Sequence, residues 1–317
     1  MSGHEGNTGR NDHGRPTGHE ETTDHGRPAV PGGGAGPTEP AAHAGPAHPG
    51  RPPAGPDGDT GDADLPPLPA DFALRVLRRA GVPRERYDTY ASLDTPAGPL
   101  FVAAAPDTVT GSALGGAGLT PTRFEELHRA RTGRSAISVP KPFPGLVTAL
   151  RTGRARNLPL DLGPEDTPTA RVLTAVRTVP PGQLRPLSWI AREAGAGTTD
   201  PPPDPAALIG VLAANPFPVL VPCHRITYDN GAPCDAGHLP ALGDALRTAE
   251  GVDMAEVRRW ASGGSVFLGS ATTNIYCHPT CGHARRITAP HRVPFATARD
   301  ARRAGYRACK SCRPLTV

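Results

Sequence analysis

Apolar residues take up a regular spacing only from about residue 71 onward. There "DFALRVLRRAG" predicts a short helix starting at Asp71. "YDTYASLDTPAGPLFVAAA" then reads as two strands around a Pro-Gly turn. Residues 122–156 suggest helical pieces, with "FEELHRART" the clearest. "TARVLTAVRTV" has apolar residues at helical spacing and stops before Pro180-Pro181-Gly182. "LSWIAREAGA" and, after the proline-rich loop 201–205, "AALIGVLAAN" predict two short helices around a loop, the layout of a helix-turn-helix. "PVLVPCHRI" is a short apolar run that leads into a cysteine. "LPALGDALRTAEG" predicts a last helix ending at Gly251. From Val252 to Gly264 the chain reads as a connection to a small C-terminal module.

Residues 1–70 give no such pattern. They hold no Phe, Trp or Tyr, are crowded with Gly, Pro, His, Asp and Arg, and repeat "DHGRP" at 12–16 and 24–28. A segment of that kind buries too little apolar surface to offset the entropy of ordering. It is expected to be a disordered, solvated arm, and its histidines are read as part of that arm rather than as metal ligands. The 317 residues leave room for two domains after it. The expected fold class is α+β. It comprises a larger domain with a helix-turn-helix at 71–252, a linker at 253–264, and a small α+β module at 265–317.

No apolar run approaches the ~18 residues of a membrane span, and the N-terminus lacks the apolar stretch of a signal peptide. The expectation is a cytoplasmic protein, associated with the nucleoid, that has no membrane partner and keeps its thiols reduced. Six cysteines in that setting point to metal or to chemistry. Charge is unevenly spread. The whole chain carries +4; from Ser270 to the end, eight Arg and one Lys against one Asp give +8, so the remainder carries −4. A short, strongly basic segment calls for a polyanion, with double-stranded DNA the first candidate.

Two cysteine stretches carry the chemistry. In "VPCHRI" a histidine follows Cys223, the usual means of forming a thiolate near neutral pH. Residues 88–252 resemble the O6-alkylguanine-DNA alkyltransferases, whose signature of Asn-Pro, a short apolar run and Pro-Cys-His-Arg stands here as "NPFPVLVPCHRI". A glutamate follows in "LRTAEG", and "VPPGQL" and "TPAGPLFVAAA" match further family segments. The resemblance implies that Cys223 accepts the alkyl group, His224 takes its proton, Glu250 orients the imidazole, and Asn215 braces the turn. It also implies a target base flipped out of the duplex and a protein consumed in one turnover. Arg225 of the motif is an expected DNA contact. Three positions depart from the family: Ala207 stands for the recognition-helix arginine, Leu187 for a tyrosine and Gly243 for a lysine. Cys234 is placed by no motif.

Cys277, Cys281, Cys309 and Cys312 form C-x3-C and C-x2-C pairs, the spacing of a tetrahedral zinc site. One Zn²⁺ would then supply much of the module's folding energy. "TTNIYCHPTC" and "AGYRACKSCRP" resemble the metal-binding repair domain of the Ada protein, which implies that Cys277 also accepts a methyl group from a DNA phosphotriester. Four thiolates on Zn²⁺ carry −2, which repels a phosphodiester anion but admits a neutral triester. Arg285, Arg286, Arg292, Arg302, Arg303 and Arg307 are the expected contacts to neighbouring phosphates, and methylation should tighten them. Here too the chain departs from the family, with Ala271, Asn274 and His278 at positions usually held by Arg, Gly and Arg. The expected function is irreversible transfer of alkyl groups from DNA to protein cysteines, by a monomer acting on alkylated duplex. The alternative is a methylation-tuned DNA-binding sensor with a degenerate alkyltransferase domain.

Overall fold

The structure, a computed structural model, describes residues 69, 71–116, 118–196 and 204–314. The expected arm at 1–70 lies outside the described residues apart from Pro69.

Threonine or aspartate before proline starts three of the nine α-helices among the described residues. The N-terminal α1, Phe72–Arg79, has no such cap. Strands β1 (Tyr87–Thr95), β2 (Gly98–Ala104) and β3 (Val109–Leu114) are followed by α2, Pro121–Thr132. There Thr120 Oγ1 accepts from the Arg123 amide and Pro121 opens the first turn. Strand β4, Ser135–Ser138, and helix α3, Leu146–Thr152, lead to α4, Pro168–Arg177, capped in the same way by Thr167. After β5 (Arg185–Pro186) and α5 (Leu187–Gly195) comes α6 (Pro205–Ala213), whose cap Asp204 accepts from the Ala207 amide at 2.8 Å. Each such cap satisfies an amide that the helix leaves open, worth about 1 kcal/mol.

The chain runs on through β6 (Ile226–Thr227), α7 (Pro240–Ala249), α8 (Met254–Ser262), β7 (Phe267–Ser270), β8 (Ile275–Cys277), β9 (Arg292–Phe295), α9 (Ala298–Arg303) and β10 (Arg307–Ala308). The first sheet has the order β3-β2-β1-β4, antiparallel except for the parallel β1–β4 pair. Strand β2 is buried from Leu100 to Ala104 and packs into the main core with Val172, Leu173, Val176, Ile190, Leu208 and Phe217. The second sheet, β10-β8-β7-β9, builds the C-terminal module. A third, two-stranded sheet pairs β5 with β6, so the strand ahead of α5 lies beside the residues that follow Cys223.

Both strands of the "TPAGP" hairpin form as the spacing predicts, with Thr95 opposite Gly98. Segment 122–156 is not helical throughout, because β4 lies between α2 and α3 and pairs along β1. The 253–264 connection is a helix for most of its length, capped by Asp253 and with Met254 and Val257 buried against Leu184.

Candidate functional site

Beyond α6 the chain enters a braced loop. Phe217, Leu220 and Val221 are buried and anchor it. Asn215 ties its two ends: Oδ1 accepts from the Phe217 amide at 3.0 Å, while Nδ2 donates to the Val221 carbonyl at 3.1 Å and to Cys223 Sγ at 3.0 Å. Val219 sits at φ 70°, where a β-branched residue is strained. The Val221 amide, bonded to the Phe217 carbonyl at 2.8 Å, closes the loop around it. Cys223, His224 and Arg225 then form one buried helical turn.

Glu250, just past α7, gathers the partners of that turn. Its Oε1 lies 3.0 Å from His224 Nε2. Arg225 donates to the same carboxylate through Nε at 3.0 Å and Nη2 at 2.6 Å. The Gly182 amide donates to Oε2 at 2.9 Å. Gly182 has φ +68°, and a Cβ there would lie 2.5 Å from the Glu250 carbonyl oxygen, so the "VPPGQL" turn needs glycine to dock. Arg225 also donates to the carbonyls of Val179 and Gly153. Expected to face DNA, it is instead 4% exposed with its guanidinium turned inward onto Glu250.

Arg247, which no motif singled out, is fully buried. Its Nε donates to the His224 carbonyl and its Nη2 to Asp235, both at 2.6 Å, so it supports the turn from behind. The glycine at the position of the family lysine makes room for it, since a Cβ on Gly243 would lie 2.9 Å from Arg247 Nη1. The only hint in the sequence is that Arg247 precedes Glu250 by one helical turn. Cys234 is buried in the same core as Cys223, with its amide on the Ile226 carbonyl.

The electrostatics divide the roles. Burial pushes the Cys223 thiol up to about 12, against the hydrogen bond from Asn215. Burial lowers His224, the Glu250 contact opposing it. For Glu250, burial alone would raise the carboxyl, but the hydrogen bonds from His224 and Arg225 outweigh it and hold it at about 2. At neutral pH the set is therefore a thiol, a neutral imidazole and a carboxylate. Such an imidazole can take a proton, because the charge it gains faces an anion 3.0 Å away. A cavity of about 750 Å³ opens beside this pair, lined by His224, Arg225, Glu250 and Gly153.

The other four cysteines meet at the end of β8. The sulfurs of Cys277, Cys281, Cys309 and Cys312 all lie within 4.8 Å of one another, and all four residues are buried. Tetrahedral Zn–S bonds of ~2.3 Å place sulfurs roughly 3.8 Å apart, so the donor set fits Zn²⁺. Four thiols cannot all ionise in so small a volume without a cation.

A cavity of about 640 Å³ reaches this cluster, and of the four cysteines Cys277 and Cys309 line it. Its charged walls are Arg286, Arg307 and Lys310, with His283 and His291 beside them. The six arginines expected on DNA do not converge there. Arg286 and Arg307 flank Cys277, and Arg302 and Arg303 are exposed on α9. Arg285 is exposed near Gly182, and Arg292 is held by Glu256 at 2.8 Å. Lys310 was missed, because a single lysine among arginines carries no pattern. His278 is buried, and burial pushes its imidazole down to about 3. Of the departures in the first domain, Ala207 is exposed on α6, whereas Leu187 is buried in the main core.

Two family models match separate stretches of the chain. Residues 167–252 match the family model of the 6-O-methylguanine DNA methyltransferase DNA binding domain, and residues 254–314 match that of the metal binding domain of Ada. A methylated-DNA–protein-cysteine methyltransferase of Methanothermobacter thermautotrophicus is 35% identical over 72 residues; the match covers 23% of this chain and 37% of that relative's length. Among solved structures, the Mycobacterium tuberculosis OGT in complex with DNA is 26% identical, covering 51% of this chain and 93% of its own with a TM-score of 0.40. The O6-methylguanine-DNA methyltransferase from Pyrococcus kodakaraensis strain KOD1 is 20% identical, covering 52% and 99% with a TM-score of 0.40.

Proposed function

We propose that this chain, which joins a 6-O-methylguanine DNA methyltransferase DNA-binding domain to an Ada-type metal-binding domain, repairs alkylated duplex DNA by transferring alkyl groups onto two of its own cysteines. In the first domain the Cys223 proton passes to His224, and Sγ attacks the alkyl carbon on guanine O6. The S–C bond forms as the C–O bond breaks, and the guanine oxygen leaves with the electron pair. Glu250 holds the imidazolium that results, and Arg225 and Gly182 hold Glu250. No step regenerates the thiol, so the protein is consumed.

In the second domain Cys277 attacks the methyl carbon of a phosphotriester, and the phosphate leaves as a diester anion. Zinc bound by the four cysteines supplies the dication that keeps their sulfurs deprotonated. Arg286, Arg307 and Lys310, which line the cavity with Cys277, would hold the flanking phosphates. When one thiolate becomes a thioether the site falls from −2 to −1, and those phosphates are repelled less. The observation that carries the reading is Cys277 itself, a member of a four-sulfur donor set that lines a cavity walled by cations. One chain supplies both acceptors, so a monomer suffices, and its substrate would place it with the chromosome in the cytoplasm.

The exposed Ala207 on α6 favours a second reading, a methylation-tuned sensor whose first domain binds but transfers poorly. Zinc-loaded protein mixed with duplexes carrying either a single O6-methylguanine or a single methyl phosphotriester separates the two. Repair predicts that each lesion disappears with one equivalent of protein. If the triester alone disappears, the sensor reading replaces dual repair.

A further inference from the structure

The junction between the two domains holds a buried cation that neither cysteine reaction uses. Arg185, in β5 of the first domain, is 3% exposed. Among the described residues its guanidinium donates only to neutral oxygens, Nη1 to the Leu184 carbonyl at 2.8 Å and Nη2 to Gln183 Oε1 at 2.6 Å. Its Nε has no partner among the described residues, and it forms no ion pair with a carboxylate there. A buried guanidinium without a counter-charge is costly. Burial lowers the proton affinity of this guanidinium, and Cys312, Cys281, Cys309 and Cys277 oppose that lowering once they are thiolates.

Backbone contacts fix it at that position. The Leu184 amide donates to Thr280 Oγ1 at 2.7 Å, next to Cys281 in sequence. The indole of Trp189, 5.7 Å from the Arg185 guanidinium, donates to the Cys312 carbonyl at 2.9 Å. The residues on either side of Arg185 are thus bonded to the segments that carry Cys281 and Cys312.

We propose that Arg185 is the internal counter-cation of the four-cysteine centre and a positioning residue that tempers the nucleophilicity of Cys277. This rests on the zinc-thiolate reading of that centre. A positive charge beside a thiolate stabilises the anion and slows its attack; a thioether at Cys277 removes one of the charges that Arg185 faces. The junction between the domains is then tightest before alkylation and looser after it.

The test uses the full zinc-loaded chain and methyl iodide, a neutral probe that needs no DNA. Cys277 Sγ attacks the methyl carbon and iodide leaves with the electron pair. Zinc content and the modified cysteine are read by metal assay and peptide mass spectrometry in wild type, Arg185→Gln, Arg185→Lys and Trp189→Phe. Arg185→Gln should be methylated at Cys277 faster, on the order of threefold to tenfold, and Arg185→Lys should restore the wild-type rate. Trp189→Phe removes one contact that holds Arg185 while keeping its charge, and should raise the rate less than Arg185→Gln does. Methylation should lower the melting temperature of wild type more than that of Arg185→Gln. Equal rates in wild type and Arg185→Gln, with zinc retained, overturn the proposal, as does a rate rise in Arg185→Gln that lysine does not reverse. If the wild type binds no zinc, the zinc-thiolate reading itself fails, a result that is visible before any rate is compared.

Discussion

Replacing Glu250 with glutamine keeps the side-chain shape and removes one charge from the centre of the Cys223 site. The carboxylate is 14% exposed, and its partners Arg225 and His224 are 5% and 2% exposed. Its fall from 4.5 to about 2, at 1.36 kcal/mol for each tenfold change in proton affinity, contributes about 3 kcal/mol to folding. The variant also leaves the Arg225 guanidinium buried without its anion, a loss of ~3–5 kcal/mol for broken buried pairs. Urea unfolding at pH 7.5, followed by the fluorescence of Trp189 and Trp260, should show Glu250→Gln destabilised by about 3 kcal/mol or more with an unchanged slope. Because the folded carboxyl is depressed, its contribution is complete above the unfolded value of 4.5 and is lost as pH falls towards 2. Roughly three fifths of it is gone by pH 3. Zinc release in acid affects both proteins alike, so the gap between them should narrow over that range. A deficit under about 1 kcal/mol at pH 7.5, or one that stays constant down to pH 3, would refute the claim that Glu250 is the anion organising this turn.

Asn215→Ala removes the two hydrogen bonds that tie the loop ends and the one to Cys223 Sγ; denaturation should show a loss of ~1–3 kcal/mol, and a neutral result would mean that the loop holds itself. With its thiol pushed up to about 12 by burial, Cys223 of the DNA-free protein should react with iodoacetamide at pH 8 more slowly than a free cysteine, as timed peptide mapping can show. Labelling of Cys223 ahead of every other cysteine would contradict that. Stripping zinc with a chelator should leave the segment from Phe267 to Arg313 open to protease and shift the Trp189 emission, since its indole is bonded to the Cys312 carbonyl. An unchanged digestion pattern after metal loss would mean that the module folds without it.

The sequence is most informative where neighbours along the chain decide the structure. Threonine or aspartate before proline stands at the starts of α2, α4 and α6, and apolar spacing finds the buried face of α4, whereas in α2 Leu127 is exposed and His128 is buried. The four-cysteine cluster is legible because each pair lies within one short turn and only the distance between the pairs is left to the fold. Strand β4 escapes because four residues with one buried alanine make no alternating pattern, and its partner β1 lies far upstream. Arg225 is misread because a motif fixes its place along the chain and says nothing of its burial. In the fold its charge goes to Glu250, 25 residues away. Arg185 and Trp189 are invisible for a similar reason. Trp189 meets the Cys312 carbonyl across 123 residues, and Leu184 meets Thr280 across 96. Contacts of that range follow from how two domains pack, which local spacing does not encode.

The most direct test of two acceptors in one chain is a peptide-level map of methyl groups after zinc-loaded protein has been incubated with methylated duplex DNA. The account predicts methyl on Cys223 and on Cys277, with Cys234, Cys281, Cys309 and Cys312 unmodified. Absence of methyl from both Cys223 and Cys277, with zinc still bound, would contradict it.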